Sequence, residues 1–259
     1  MTADLLAYRP APGLLQDRVI LVTGAGADLG RAVALACAGL GAQVVLADRA
    51  EGALEGVYDE IEAGGGPRPA LVPLDPLALG PPQAEQLAAH LEQAFGRLDG
   101  IFHAQCPLGV LSPIEQYDPQ RWQQVVHANL HAPFLITRAL LPLLRRAPDA
   151  AVLFLSDAVA RRGRAYWGAY ACAGHAREGL VQVLADEVET NTGIRVNSLD
   201  PGPLRGALRA QAYPGEDPGR WPPPQAVVPA CLYLLGPDGK DLRGQALTVR
   251  PAGGESGDR

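Results

Sequence analysis

A glycine-rich turn between a buried strand and a helix constrains this chain more than any other feature of its sequence. The apolar run RVILVT (18–23) is typical of a strand that is buried on both faces. The turn TGAGADLG (23–30) follows it, and small apolar residues suited to a helix packed close to a sheet continue from 29 to 40. Such a turn can bring backbone N–H groups and a helix N-terminus to a pyrophosphate, so it predicts a dinucleotide-binding site.

Apolar runs alternate with helical segments along the rest of the chain. Crossovers of this length predict an α/β fold, namely a doubly wound parallel sheet with helices on both faces (a Rossmann-type fold), in one domain that spans 1–259 with its core at about 14–252. Residues 203–224 are rich in Pro, Gly and Arg and predict a covering loop with a short helix near Leu204 to Ala212. The remaining strands are predicted at 43–47, 70–74, 98–104, 151–155, 194–199 and 245–250, and the remaining helices at 51–63, 83–95, 120–146, 167–190 and 225–235.

Composition narrows the classes of function. The 259 residues carry a net charge of −6 and no dense basic block, so we expect no nucleic-acid partner. The four cysteines form no CxxC pair, and we see no signal peptide and no apolar run long enough for a membrane span, so we expect a cytoplasmic protein. His127 and His131 have the i, i+4 spacing of metal ligands, but they lack a third ligand, and we expect no metal site.

The stretch from Val152 to Ala176 places a phenol near the same edge of the sheet. It reads as a buried strand, a loop rich in Gly and Arg, and a helix that carries Tyr170. A free tyrosine has a pKa of about 10 and is a poor base at neutral pH unless a nearby cation favours the tyrosinate. The position one helical turn further on, which could supply such a charge, is Gly174.

The glycine turn resembles that of the short-chain dehydrogenase/reductase superfamily, and the resemblance covers about residues 14–252. The turn of that family has the form TGxxxGxG. Thr23, Gly24 and Gly30 match it, Leu29 stands between the last two glycine positions, and Asp28 replaces the middle glycine. The resemblance implies that this turn holds the phosphates of a nicotinamide dinucleotide.

Other positions match residues that contact the cofactor in the family. Asp48, at the end of the second predicted strand, is placed to accept hydrogen bonds from a ribose 2′-hydroxyl, and it implies NAD rather than NADP because a carboxylate repels a 2′-phosphate. Asp75 matches a position that touches the adenine. Pro201 and Gly202 match the Pro-Gly pair that follows the sixth strand.

Asp28 predicts weakened cofactor binding. A carboxylate about 4 Å from a phosphate costs on the order of 4 kcal/mol at an effective dielectric near 20. As an alternative role, Asp28 could cap the first helix, with its carboxylate in the place of a phosphate.

The catalytic set of the family is only partly matched. Asn129 and Tyr170 stand at the family's Asn and Tyr positions, whereas the Ser position is Asp157 and the Lys position of the YxxxK motif is Gly174. An ionised Asp157 cannot donate a hydrogen bond to a substrate carbonyl, and Gly174 supplies no charge. The chain is therefore identified as a divergent member that lacks the catalytic Lys and Ser.

Two hypotheses for function remain. In the first, the protein is catalytically impaired or inactive and serves as a binding or oligomerisation protein. A small molecule could be its ligand. In the second, it is an NAD-dependent oxidoreductase that uses Tyr170 with a non-standard helper, and Arg177, seven residues further along the helix, could reach back to supply it. The resemblance also implies a homodimer or homotetramer that pairs through the helices at about 120–146 and 167–190.

Overall fold

Seven parallel strands form one sheet in the computed structural model, which describes residues 5–251. Their order is β3-β2-β1-β4-β5-β6-β7, so the chain reverses its direction of winding between β1 and β4. This arrangement confirms the predicted doubly wound sheet and creates a crevice at the carboxyl ends of β1 and β4. The predicted outer ends of the domain, 1–4 and 252–259, lie outside the described residues. The strands are β1 (Val19–Thr23), β2 (Gln43–Asp48), β3 (Ala70–Pro73), β4 (Gly100–His103), β5 (Ala150–Leu155), β6 (Ile194–Asp200) and β7 (Ala246–Thr248).

Helices cover both faces of the sheet because alternate strand residues are apolar on each side. Ile20 and Val22 pack in one core, with α1, α2 and α8, whereas Val19 and Leu21 pack in the other, with α3, α5 and α6. The bounds stay within a few residues of those predicted, except in the long helix. The helices are α1 (Asp28–Gly39), α2 (Glu51–Ala63), α3 (Pro81–Phe95), α4 (Pro119–Val126), α5 (Ala132–Leu144), α6 (Gly168–Glu189), α7 (Ala207–Ala212) and α8 (Val228–Leu235).

The helix predicted at 120–146 is interrupted by a π-helical turn, His127–His131, which separates α4 from α5. Pro133 follows this turn and has no N–H with which to bond the carbonyl of Asn129, four residues earlier. The backbone therefore widens before the proline, as such turns commonly do near functional sites. The carbonyl oxygen of Asn129 is left available for another donor.

The covering loop is more ordered than its composition indicates. Its one α-helix, α7, begins at Ala207, and the Arg209 guanidinium lies 4.0 Å from the ring centroid of Tyr213 and 4.3 Å from that of Trp221. Both carboxylate oxygens of Glu216 accept hydrogen bonds of 2.7 Å from Arg209. The sequence offered no pairing signal for this cluster, which gives the loop a fixed shape.

None of the helices within residues 5–251 is long and apolar enough to cross a bilayer.

Candidate active site

The glycine turn between β1 and α1 keeps the conformation that the sequence predicts. Gly24 has a φ of +71°, which favours glycine, and Thr23 before it is buried. A Cβ on Gly30 would lie 2.1 Å from the carbonyl oxygen of Gly24, so only glycine fits there. Leu29 is buried in the core beneath the turn. The start of α1 is thus held against its own turn by backbone contact.

Asp28 lies in this turn with a φ of +47°, a left-handed conformation that glycine adopts freely and aspartate tolerates. Its carboxylate accepts a hydrogen bond of 2.9 Å from the backbone N–H of Ala207, the first residue of α7. The prediction that the Asp28 side chain caps α1 is therefore wrong, although its carboxylate does lie at the N-terminus of that helix. The cap residue of α1 is Ala27, and within the described chain no side chain caps that helix. Asp28 instead joins the glycine turn to the covering loop.

Gly206, which precedes α7, lets this contact form. A Cβ on Gly206 would lie 2.8 Å from the carboxylate carbon of Asp28, so a larger residue would push the loop away from the turn. The carboxylate thus stands at the N-terminus of α1 and at that of α7 together. A negative charge is favoured at both helix ends, and Asp28 supplies it without a bound anion.

Asp48 ends β2 with both carboxylate oxygens oriented. One oxygen accepts from the backbone N–H of Gly26 and the other from that of Ala50, each at 3.2 Å. These bonds leave lone pairs on both oxygens. Asp75 is exposed, and its carboxylate accepts from the backbone N–H of Leu77 at 3.0 Å. Asp75 therefore shapes the loop after β3.

The Pro201–Gly202 pair follows β6 and turns the chain back over the sheet. Gly202 has a φ of +71°, and its N–H donates to the carboxylate of Asp200 at 2.9 Å. Arg250 donates to the other oxygen of that carboxylate, also at 2.9 Å. Asp200, which is buried, is therefore neutralised within the protein.

A cleft of about 1020 Å³ runs along the carboxyl edge of the sheet, from the loop after β3, past the ends of β2, β1, β4 and β5, to the end of β6. Its size is at the upper end of the range for small-molecule sites. The predicted site residues that line it are Gly24, Asp28, Leu29, Gly30, Asp48, Asp157, Tyr170, Pro201 and Gly202. Those that do not line it are Thr23, Asp75, Asn129 and Gly174.

Tyr170 lies at the β5 end of this cleft and is only 4% exposed. Burial raises the pKa of its hydroxyl well above 10, and the charges that Cys106 and Asp157 carry when ionised raise it further, whereas Arg177 lowers it. At neutral pH the phenol is therefore protonated. It can donate a hydrogen bond, but the tyrosinate form that would accept a proton is populated even less than in a free tyrosine.

Gly174 packs against Ala160, so there is no empty space between Gly174 and the neighbouring turn. A Cβ built on Gly174 would lie 2.6 Å from the Cβ of Ala160 and 3.0 Å from its Cα. Ala160 belongs to a short 3₁₀ turn, Ala158–Ala160, that packs directly on α6. The room that a side chain at position 174 would need is filled by this turn, so the missing lysine is not simply a truncated side chain.

Asp157 begins that turn, and its carboxylate accepts a hydrogen bond of 3.0 Å from the backbone N–H of Val159. Burial raises the pKa of this carboxyl. Ser156 cannot replace it, because the Ser156 hydroxyl donates to Glu178 in a buried cluster, and Ser198 donates to the same carboxylate at 2.6 Å. Neither position therefore has a hydroxyl hydrogen that is free to donate to a substrate.

Arg177 is the buried cation of the site. It is 3% exposed, and its Nη1 donates to the carbonyl oxygen of Asn129 at 3.3 Å and to the Cys106 thiol at 3.4 Å. That carbonyl is the one that cannot accept an α-helical bond from residue 133, because Pro133 has no N–H. Since an arginine is charged at any physiological pH, a positive charge does lie behind Tyr170. The sequence feature that indicates this contact of Arg177 is Pro133, four residues after Asn129.

The side chain of Asn129 points into α4. Its Nδ2 donates to the backbone oxygens of Val125 and Pro107, each at 2.9 Å, and its Oδ1 has no hydrogen-bond partner among the described residues. The chain therefore has asparagine at the position where the family has it, and the Asn129 side-chain amide holds the π-helical turn against Val125 and Pro107. Cys106, which follows Ala104–Gln105 at the family's Asn-Ala-Gly positions, lines the cleft, and burial raises the pKa of its thiol.

The doubly wound sheet, its glycine turn and the cleft at its carboxyl edge define a dinucleotide-binding class of protein. Comparison with known proteins identifies the family within that class. The profile of the short chain dehydrogenase family matches residues 18–217. The chain belongs to the short-chain dehydrogenase/reductase superfamily, and proteins named as oxidoreductases are among its relatives.

Three relatives illustrate the similarity. The uncharacterized oxidoreductase YciK of Escherichia coli K12 is 41% identical over 244 residues, which are 94% of this chain and 96% of YciK. A short chain dehydrogenase structure from Pseudomonas syringae is 47% identical, with a TM-score of 0.92, over 94% of this chain and 98% of that one. A short chain dehydrogenase structure from Escherichia coli CFT073, complexed with NADPH, is 41% identical, with a TM-score of 0.89, over 93% of this chain and all of that one (100%).

The residues of the cleft fit the ribose of a nicotinamide dinucleotide but not its pyrophosphate. Asp48 keeps acceptors for ribose hydroxyls, and Gly24 and Gly30 keep the turn. The Asp28 carboxylate, however, bonds the covering loop across the mouth of this turn. It adds both a side chain and a negative charge where a pyrophosphate needs neither, so the turn as it stands does not fit the phosphates.

Proposed function

We propose that this protein is a member of the family that is impaired or inactive in hydride transfer and acts as a small-molecule-binding and oligomerisation protein. The observation that carries the proposal is the contact of Gly174 with Ala160, which leaves no room for the lysine. Asp28 across the glycine turn and Asp157 at the serine position support it independently.

The residues at the β5 end can still recognise a ligand. Tyr170 offers a protonated hydroxyl, and Asp157 offers carboxylate oxygens, so together they suit a polar group that both accepts and donates hydrogen bonds. Trp167 and Tyr213 add aromatic surface beside them, with ring centroids 6.1 Å apart. This end of the cleft is thus equipped for binding, while the proton-abstracting form of Tyr170 is disfavoured.

The ionisation of Tyr170 tests this proposal without a known substrate. We expect no tyrosinate at Tyr170 below pH 10, because burial raises the pKa of this phenol. Carbon-13 NMR of Cζ-labelled tyrosine, with the Tyr170→Phe variant to assign the signal, measures the titration directly. A Tyr170 signal that titrates between pH 6 and 9 would contradict the proposal, because the phenol would then be poised for acid–base catalysis.

A second candidate function is that of an active NAD-dependent dehydrogenase or reductase of an alcohol or carbonyl compound. The buried Arg177 guanidinium favours it, since its charge lowers the pKa of Tyr170. Asp48 would then favour NAD over NADP. In the same titration, this candidate requires a tyrosinate near neutral pH that moves to higher pH in the Arg177→Met variant.

Pairing of copies through the two long helices is part of the proposal. Phe134 on α5 and Val183 on α6 are 43% and 57% exposed, so each of the two helices offers an apolar side chain that a second copy could cover. We expect sedimentation velocity to show a dimer or tetramer, and the Phe134→Glu/Val183→Glu double variant to shift toward the monomer. Leu71→Glu, at an exposed position on β3, serves as the control. Equal masses for the double variant and wild type would contradict this interface.

We also propose a cytoplasmic location. Burial raises the pKa of the Cys37 and Cys231 thiols, and the charge that Cys37 carries when ionised raises that of Cys231 further. All four cysteines are free thiols. A reducing compartment accounts for this state.

A further inference from the structure

We propose that Asp28 converts the cofactor cleft into a site for a nucleoside without phosphate groups. The inference rests on the proposed function, in which the dinucleotide is not used for hydride transfer. It deepens that function by naming the class of ligand that the cleft prefers.

The ribose end of the cleft is intact. Each carboxylate oxygen of Asp48 accepts one backbone hydrogen bond, from Gly26 or Ala50, and each keeps a further lone pair. Two adjacent hydroxyls of a ribose can donate to these two oxygens. The backbone bonds fix the carboxylate in advance, so a ribose would lose little free energy in ordering it.

A base can lie beside this carboxylate. Pro76 and Leu77 follow β3 and line the same cleft, and Leu77 is 45% exposed although it is apolar. The Asp75 carboxylate holds this segment through its bond to the Leu77 N–H. The segment therefore presents a fixed apolar surface, which suits the face of a planar base better than it suits water.

The phosphate end is occupied by the protein itself. The Asp28 carboxylate is bound by the Ala207 N–H and packed against Gly206, so its charge cannot swing away unless the covering loop also moves. A phosphate at the glycine turn would lie beside this charge, whereas a neutral 5′-hydroxyl would not be repelled and could donate to it. The cleft should therefore bind a nucleoside better than the corresponding nucleotides.

A series of ligands that differ only in phosphate number tests the proposal. Isothermal titration calorimetry of the full chain with adenosine, AMP and ADP should show adenosine binding at least about tenfold more tightly than ADP, as expected from like-charge repulsion. In Asp28→Asn, which keeps the shape and an oxygen acceptor for Ala207, the preference should shift toward ADP by about tenfold or more. Asp28→Gly should shift it further, since the side chain is also removed.

Asp17→Asn is the matched control. Asp17 also has a positive φ (+62°) and is exposed, but it does not line the cleft, so the order of affinities should not change. Tighter binding of ADP than adenosine by the wild type, or no measurable binding of adenosine, overturns the inference. These outcomes are independent of the Tyr170 titration: a tyrosinate near neutral pH together with a preference for adenosine overturns the proposed function and supports this inference.

Discussion

The Gly174→Lys variant should have a free energy of unfolding about 3 kcal/mol below that of wild type, because the new side chain must displace a packed turn. The Cβ alone would lie 2.6 Å from the Cβ of Ala160 and 3.0 Å from its Cα. Ala160 is buried and belongs to a turn held by the Asp157 carboxylate, so it has little room to retreat. Urea denaturation followed by circular dichroism measures the loss.

Gly179→Lys provides the control for helix propensity. Gly179 lies on the same helix, α6, and a Cβ there meets nothing within 4 Å among the described residues. Lysine should stabilise α6 at this position by about 0.5–1 kcal/mol, because glycine is a poor helix former. Equal effects of lysine at 174 and 179 would contradict the assigned clash.

The Gly174→Lys/Ala160→Gly double variant separates the clash from the charge. Removing the Ala160 Cβ eliminates the closest contact, so we expect the double variant to recover at least about half of the lost stability, a coupling typical of residues in contact. It should also lower the pKa of Tyr170 relative to Ala160→Gly alone, since an ammonium would then lie one helical turn from the phenol. A double variant no more stable than Gly174→Lys would show that the turn itself, and not Ala160, excludes the side chain.

The fold could be predicted from the sequence because its signals are local and repeated. Strands β1 to β5 each contain a continuous apolar run, and each precedes a segment with helical periodicity, so the parallel sheet and its order of layers follow from patterning. The same regularity placed the glycine turn, Asp48 and Tyr170 at one edge of the sheet, where the structure has them.

The contacts that decide the chemistry of the site could not be predicted in this way. The bond between Asp28 and Ala207 joins residues 179 positions apart, and a sequence shows only that Asp28 begins a helix. The close approach of Gly174 to Ala160 likewise depends on how the turn Ala158–Ala160 packs against α6. The spacing of seven residues predicts Arg177 as a helper of Tyr170, but its hydrogen bond to the Asn129 carbonyl depends on the π-helical turn before Pro133.

The Gly30→Ala variant should lose about 4 kcal/mol of stability, a cost in the range that core overpacking reaches only in severe cases. The added Cβ would lie 2.1 Å from the Gly24 carbonyl oxygen and 2.8 Å from its carbonyl carbon. Both are backbone atoms in the turn between β1 and α1, so relief requires α1 to move away from the sheet. Thermal or urea unfolding measures the change, and Gly39→Ala in the same helix is the matched control.

A Cβ on Gly39 would have no atom within 4 Å in the described chain, and alanine there should stabilise α1 by up to about 1 kcal/mol. The contrast separates two reasons for a glycine in this turn. Gly30 is required by the contact of α1 with its own turn, and Gly24 by its positive φ and by the backbone of Gln105, 3.0 Å from a Cβ at that position. Both requirements exist without any ligand, whereas a glycine at position 28 would serve the approach of a phosphate. If Gly30→Ala costs no more than Gly39→Ala, the turn is not closely packed, and Asp28 would have room to leave the covering loop. A large loss at Gly30 alone explains why the chain keeps both outer glycines while Asp28 occupies the middle position.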